Sequence, residues 1–221
     1  MNTYLILKWL HILAMAYWLG GEWGVFNASK PITNTALSLE ERQRHMETAY
    51  RIDILPRTGI ILLLPLGLHM GAIANFQPLD GLWITGMWIF VAGWLGVTYV
   101  TYFNRGTDLA LTLLKIDDTF RMVLIPTLIV FGIYSLMNSV PFTQPWYAAK
   151  VTLYGTALII GLLLRFIMKN WVKLFREIAA GPNPVAEAKL DKQLAFGRGL
   201  AYIYWINIAT VAYFGVVKPY F

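Results

Sequence analysis

The chain of 221 residues contains no cysteine, which removes disulfides, iron–sulfur clusters and thiolate metal centres from consideration. Histidine is almost as scarce, with three in the whole sequence. Charge is thin too: 14% of residues are Asp, Glu, Lys or Arg, against about 25% in ordinary globular domains. So few charges cannot cover the surface of a soluble domain of this size, so a soluble enzyme, a disordered tail and a coiled coil are excluded. Acidic residues number 12 against 18 basic ones, a net charge of +6. In a membrane protein such an excess collects in cytoplasmic loops, so no nucleic-acid partner is expected.

What the sequence has in place of charge is apolar length. Hydrophobic residues make up 57%, including 9 Trp, 12 Tyr and 12 Phe. Apolar runs recur near 3–26, 55–76, 82–104, 121–138, 146–168 and 200–217. Each is about 17–24 residues long, which suits a hydrocarbon core of about 30 Å at 1.5 Å per residue. The expected fold is all-α: a polytopic membrane bundle of six transmembrane helices in one domain over residues 1–221. The first run exceeds the ~7–15 residues of a signal-peptide core and lacks a basic n-region, so it reads as an uncleaved span. The fourth is the weakest, with Pro126 near its start and Asn138 and Ser139 at its end.

Six spans put both termini on one side. The segments on the opposite side hold 15 of the 18 Lys and Arg, and the terminal side holds Lys8, Lys150 and Lys218. The positive-inside rule then makes both termini extracytoplasmic, in a multi-pass protein of the bacterial inner membrane. Short cytoplasmic helical segments are expected near 38–52, 106–120 and 169–198. Ser38 can cap the first. Along 169–180, Val172, Phe175 and Ile178 recur at helical spacing opposite Lys169, Lys173 and Arg176. A basic amphipathic stretch of that kind is expected against anionic headgroups, or as a docking surface for a partner. Gly181-Pro182 stops it, and Asn183-Pro184 reads as the N-cap and first residue of another short helix.

Ionisable side chains are costly in lipid, so those inside spans are functional candidates. His11 lies about eight residues into the first span, and His69 about seven before the outer end of the second. Consecutive spans are antiparallel, so both imidazoles sit roughly 10–12 Å below the outer surface. Two histidines at one depth can share a metal, and haem b suits imidazole ligation and the surrounding aromatic wall. His11, His69, Lys150, Trp18 and Met15 are the candidate cofactor residues, with His11 and His69 as the metal ligands. The alternatives are helix-linking hydrogen bonds for the histidines, and cuprous ion held with Met15 and Met70. His11, Met15, Trp18 and Glu22 fall on one helix face. Glu22 is either part of a proton relay or the partner of Arg57. Lys150 either snorkels to the headgroups or pairs with a haem propionate.

The opening from Leu10-His11 through Trp18 to Gly21 resembles the first helix of a group that includes HemJ-type protoporphyrinogen oxidases and CopD-type copper-resistance membrane domains. The Arg-and-Pro entry from Arg51 to Pro65, the Trp146-x-x-x-Lys150 opening and the terminal Val216-Val217-Lys218-Pro219 also resemble HemJ-type proteins. That resemblance implies haem b binding and oxidation of a tetrapyrrole, with His11 and Lys150 at the characteristic first-helix His and later Lys. The chain departs from the pattern at 24–29, where a basic, His-containing segment is expected, and at Tyr147 or Ala148, where a His precedes the Lys. Three functions follow as expectations. The first is a haem b redox protein, acting on a tetrapyrrole or passing electrons to quinone. The second is a CopD-like copper transport module. The third is a structural subunit of a membrane complex or homo-oligomer, with the bilayer itself as the common partner.

Overall fold

The computed structural model describes residues 2–220, and no strand occurs among the described residues. Among the described residues there are seven α-helices: α1 Thr3–Ser29, α2 Leu39–Ile52, α3 Ile54–Ile73, α4 Gly81–Phe103, α5 Asp108–Asn138, α6 Pro145–Ala179 and α7 Pro184–Val217. A 3₁₀ turn, Lys30–Thr33, follows α1. The fold is the expected helical membrane bundle. Five segments, containing α3 through α7, are long and apolar enough to cross a bilayer. The sixth long helix, α1, has 27 residues but carries Lys8, His11 and Glu22 along its length. It is not among those five, so five and not six helices are apolar enough to cross, and the expected weak span around Pro126 is one of the five. Pro126 sits inside the continuous 31-residue α5.

Capping residues set the boundaries. Ser38 Oγ accepts from the Glu41 amide and the Glu41 carboxylate accepts from the Ser38 amide, a reciprocal capping box at the start of α2. Thr107 caps α5 through the Ala110 amide at 3.3 Å. Asn183 caps α7 through the Ala186 amide at 3.0 Å, with Pro184 in the first turn. Two of these starts overturn expectations. The segments at 106–120 and after 183 are not separate cytoplasmic helices; each runs without a break into the span that follows. No breaker stands between them, so helix propagation continues once nucleated.

Helix α1 packs antiparallel on α3, then α4, α5, α6 and α7 follow in order and α7 returns to α1. Small residues bring α1 and α3 together. A Cβ on Gly59 would meet the Ala14 carbonyl at 2.5 Å, and one on Gly21 would run into the Pro56 ring. In lipid the driving force is close van der Waals packing of this kind, because apolar tails already solvate Leu and Ile. The main core runs through the bundle and includes Trp18, Ile61, Leu66, Tyr154, Leu158, Tyr204 and Ile208.

A second core forms at the basic end from Ile32, Trp171, Leu174, Phe175, Ile178, Leu190 and Leu194. It corrects the expectation that 169–180 lies on headgroups. The apolar stripe of α6 is buried against the first turns of α7 and the 3₁₀ turn, while Val172 stays 37% exposed. A fully buried side chain of this size is worth about 1.5–3 kcal/mol, so the α6–α7 hairpin gains more by closing on itself. Arg42 seals this layer. It is 3% exposed, donates from Nε to the Ile32 carbonyl at 2.7 Å, and grips both Glu187 oxygens at 2.8 and 2.7 Å.

Candidate functional site

Where both chain ends meet, α1, α3, α6 and α7 leave a cavity of about 360 Å³. Four of the five expected cofactor residues, His11, Met15, Trp18 and Lys150, line it together. The helix repeat explains three of them, since positions 11, 15 and 18 share one stripe of α1. Lys150 reaches the same space from the first turns of α6, and Lys8 and Lys218 join it at the mouth. The remaining wall is mostly apolar, with Tyr147, Tyr154 and Trp146 among it.

Glycines make the room. A Cβ on Gly67 would stand 3.4 Å from His11 Cε1, so the glycine lets the Cε1–Nδ1 edge of the imidazole close on the α3 backbone. A Cβ on Gly215 would stand 2.5 Å from Lys150 Nζ, so the amine fills the place a side chain on α7 would take. Gly71 gives the Tyr147 ring its place, and Tyr147 Oη donates to the Gly67 carbonyl at 3.2 Å. Deeper in, Tyr154 Oη donates to the Ile60 carbonyl at 2.6 Å and Trp18 Nε1 donates to Tyr204 Oη at 3.1 Å. The polar atoms of Tyr147, Tyr154 and Trp18 are therefore bonded within the protein. His11 is the exception: its Nδ1 is buried with no hydrogen-bond partner, and the Leu63 carbonyl lies beside the ring. A buried imidazole with a nitrogen left unspent is one that a metal could use.

His69 is not brought to this cavity. Its Nδ1 accepts from Trp88 Nε1 of α4 at 3.2 Å, with the two rings edge to face at 6.3 Å. The depth argument locates it near His11 correctly, since Gly67 meets His11 across the α1–α3 contact. Direction is what fails. Two residues along a helix turn by about 200°, so when Gly67 faces α1, His69 faces the other way. The joint grip of His11 and His69 on one metal is not the arrangement formed.

Toward the basic end, Arg57 pairs with Asp53, not with Glu22, at 2.6 Å from Nε and 2.5 Å from Nη2. Glu22 instead faces a small cavity of about 90 Å³ shared with Arg57, Arg121, Arg165 and Tyr204. Below it lies a charge network that sequence reasoning missed. Asp117 accepts from Trp94 Nε1 at 2.6 Å, Arg121 Nε at 3.1 Å and Arg165 Nη1 at 2.5 Å. Arg165 also reaches Asp118 at 2.7 Å, which in turn holds Lys169 at 3.3 Å. The Asp117–Arg121 spacing of four was the available signal, but 106–120 read as a solvated segment. Comparison with family models, with curated proteins and with solved structures finds no match for the chain.

Proposed function

We propose that the cavity between α1, α3, α6 and α7 binds haem b, and that the protein is a multi-pass redox protein of the bacterial inner membrane. The observation that carries this is His11, which lines a mostly apolar cavity with three lysines at its mouth and whose buried Nδ1 is unspent. The donor set suits the group. His11 supplies a neutral imidazole for the iron, Trp18 and the tyrosines supply flat apolar walls, and Lys8 and Lys218 supply cations for propionates. Lys150 stands at the second position carried by the HemJ-type resemblance, as a further ligand or a propionate partner. Bound haem b supplies a one-electron couple. The chain's own part is to hold the ring, keep water from it, and admit a lipid-soluble partner, a tetrapyrrole or a quinone. The positive-inside bias supports an outward-facing mouth, with the basic end in the cytoplasm.

The reduced-minus-oxidised optical spectrum of the detergent-purified protein, expressed with ample haem, is the test. A Soret band that His11→Ala abolishes and His69→Leu leaves in place is expected. Absence of any band in the unaltered protein, or its survival in His11→Ala, refutes the assignment. Met15 and Met70 also line the cavity. They favour a second reading, a CopD-like copper pathway, for which metal analysis would return copper bound through His11 and no porphyrin.

A further inference from the structure

Four helices wall the outer cavity, so it has four seams, and contacts at the level of the cavity hold three of them. Between α1 and α3, Gly67 lets His11 close on the backbone. Between α3 and α6, Tyr147 Oη donates to the Gly67 carbonyl, and Phe76 meets Trp146 with ring centroids 5.3 Å apart. Between α6 and α7, Asn207 Nδ2 donates to Thr156 Oγ1 at 2.7 Å, Lys150 fills the place beside Gly215, and Lys218 lies over the Trp146 ring. The α1–α7 seam differs. Among the described residues its ring contacts are Trp18 with Tyr204, Trp23 with Trp205, and Phe26 with Tyr202 and Trp205, all at Trp18 or inward of it. Outward of Trp18, Ile12 of α1 and Val216 of α7 both line the cavity, yet they are 57% and 82% exposed. The rise from Lys8 to Trp18 is about 15 Å, half of a hydrocarbon core of about 30 Å. The seam is therefore open over the depth of one leaflet, and its lips are apolar. Such lips are unfavourable against water but not against acyl chains, so the opening faces lipid.

The lining selects what comes through. Lys8, Lys150 and Lys218 line the cavity, and no Asp or Glu does. Ammonium groups only donate, so three of them in an apolar space call for an oxygen anion. The apolar side chains around them, Met15, Leu64, Val151 and Ile208, call for an apolar body. We infer that the outer cavity is filled sideways, between α1 and α7, by an acidic amphiphile of the outer leaflet. Its anionic head comes to rest among Lys8, Lys150 and Lys218, and its body lies along Ile12 and Met15. As the loading route for haem this rests on the function proposed above; the selection for an acidic amphiphile does not.

Uptake of a fluorescent polyene fatty acid, set beside its methyl ester, tests the site in the purified full-length chain, with the haem spectrum recorded on each sample. Haem would fill the same space, so the measurement is made on His11→Ala and on the unaltered chain from haem-limited expression. Saturable binding of one acid per haem-free chain is expected, with the ester about 10-fold weaker or more. Lys150→Gln should weaken the acid about 10-fold, the factor of one hydrogen bond to a charged group, and leave the ester alone. Lys8→Arg, which keeps the charge at an exposed position, should retain affinity. Ala212→Trp, on the α7 side of the opening, should slow uptake several-fold. Displacement by palmitate, or by phosphatidylglycerol in preference to phosphatidylcholine, supports the site and identifies the head as carboxylate or phosphate. Equal binding of acid and ester, indifference to Lys150→Gln, or an unchanged uptake rate in Ala212→Trp overturns it. Haem in the unaltered chain with no acid uptake by haem-free chain refutes this inference alone. Acid uptake by a chain that never binds haem refutes the haem assignment alone.

Discussion

Replacing Asp117 with alanine removes the acceptor shared by three buried donors. Asp117 is 7% exposed, Arg121 5% and Arg165 8%. Trp94 loses its partner, and Arg121 loses the ion pair it makes with this carboxylate, while Arg165 keeps Asp118. Stranding one member of a buried ion pair costs about 3–5 kcal/mol, much more than an exposed pair is worth. For a chain of this length 1 kcal/mol moves the thermal midpoint by about 2–4 °C, so a drop of roughly 6–20 °C is expected. Circular dichroism melting in one detergent at fixed pH is the assay. The same logic requires the double variant Asp117→Ala/Arg121→Met to recover part of the loss, because the stranded cation is gone. A fall below about 2 °C for Asp117→Ala would refute the network as a stabilising element. So would a double variant that loses the full sum of the single effects, since a coupled pair cannot be additive.

Arg42→Ala should free the basic-end layer without melting the bundle, because its contacts to Ile32 and Glu187 tie the 3₁₀ turn and α2 to α7. A loss of about 2–3 kcal/mol is expected, seen as faster amide exchange over the first turns of α7 with the spans unchanged. Glu41 gives a pH dependence. The Ser38 hydroxyl and amide hold its carboxyl below the usual carboxylate range. A depressed folded pKa contributes stability that is complete above the unfolded value of about 4.5 and fades as the pH falls through the folded one. Amide exchange at the start of α2 should therefore quicken below that pH, and Glu41→Gln should remove the pH dependence.

Much of the architecture was legible because bilayer physics writes itself into composition and period. Span positions, the Ser38 and Asn183 caps and the shared side of the basic segments all follow from local residues. Burial between helices does not. The α6 extension reads as amphipathic, but whether lipid or protein covers Trp171 and Phe175 depends on where α7 begins its return, which local sequence does not encode. Depth was likewise readable and direction was not. His11 and His69 share a level, yet a helix repeat that does not close on two residues turns one toward the cavity and the other toward Trp88. Lys150, placed by resemblance and by its depth, faces the cavity with His11 because Gly215 leaves it the space. The inner network escaped notice because α5 extends about three turns beyond its apolar run, carrying Asp117 into the bundle interior.

The placement of polar groups along the bundle limits what can pass between its ends. The inner aspartates Asp53, Asp117 and Asp118 are paired with Arg57, Arg121 and Arg165, while the outer cavity keeps an unspent imidazole and three lysine amines, with Lys218 over the Trp146 ring. Two hydrogen bonds join the two walls: Tyr154 donates to the Ile60 carbonyl, which accepts only, and Trp18, on the outer cavity wall, donates to Tyr204, on the wall of the small inner cavity. An indole N–H can donate but cannot accept, so this link cannot relay a proton in either direction. It holds position instead, as a T-shaped pair with ring centroids 5.6 Å apart. For the haem function proposed above, proton exchange is then expected at the mouth of this cavity, past Lys8, Lys150 and Lys218. Trp18→Phe, which deletes the donor and keeps the packing, should then leave proton exchange of the outer cavity unchanged while loosening Tyr204.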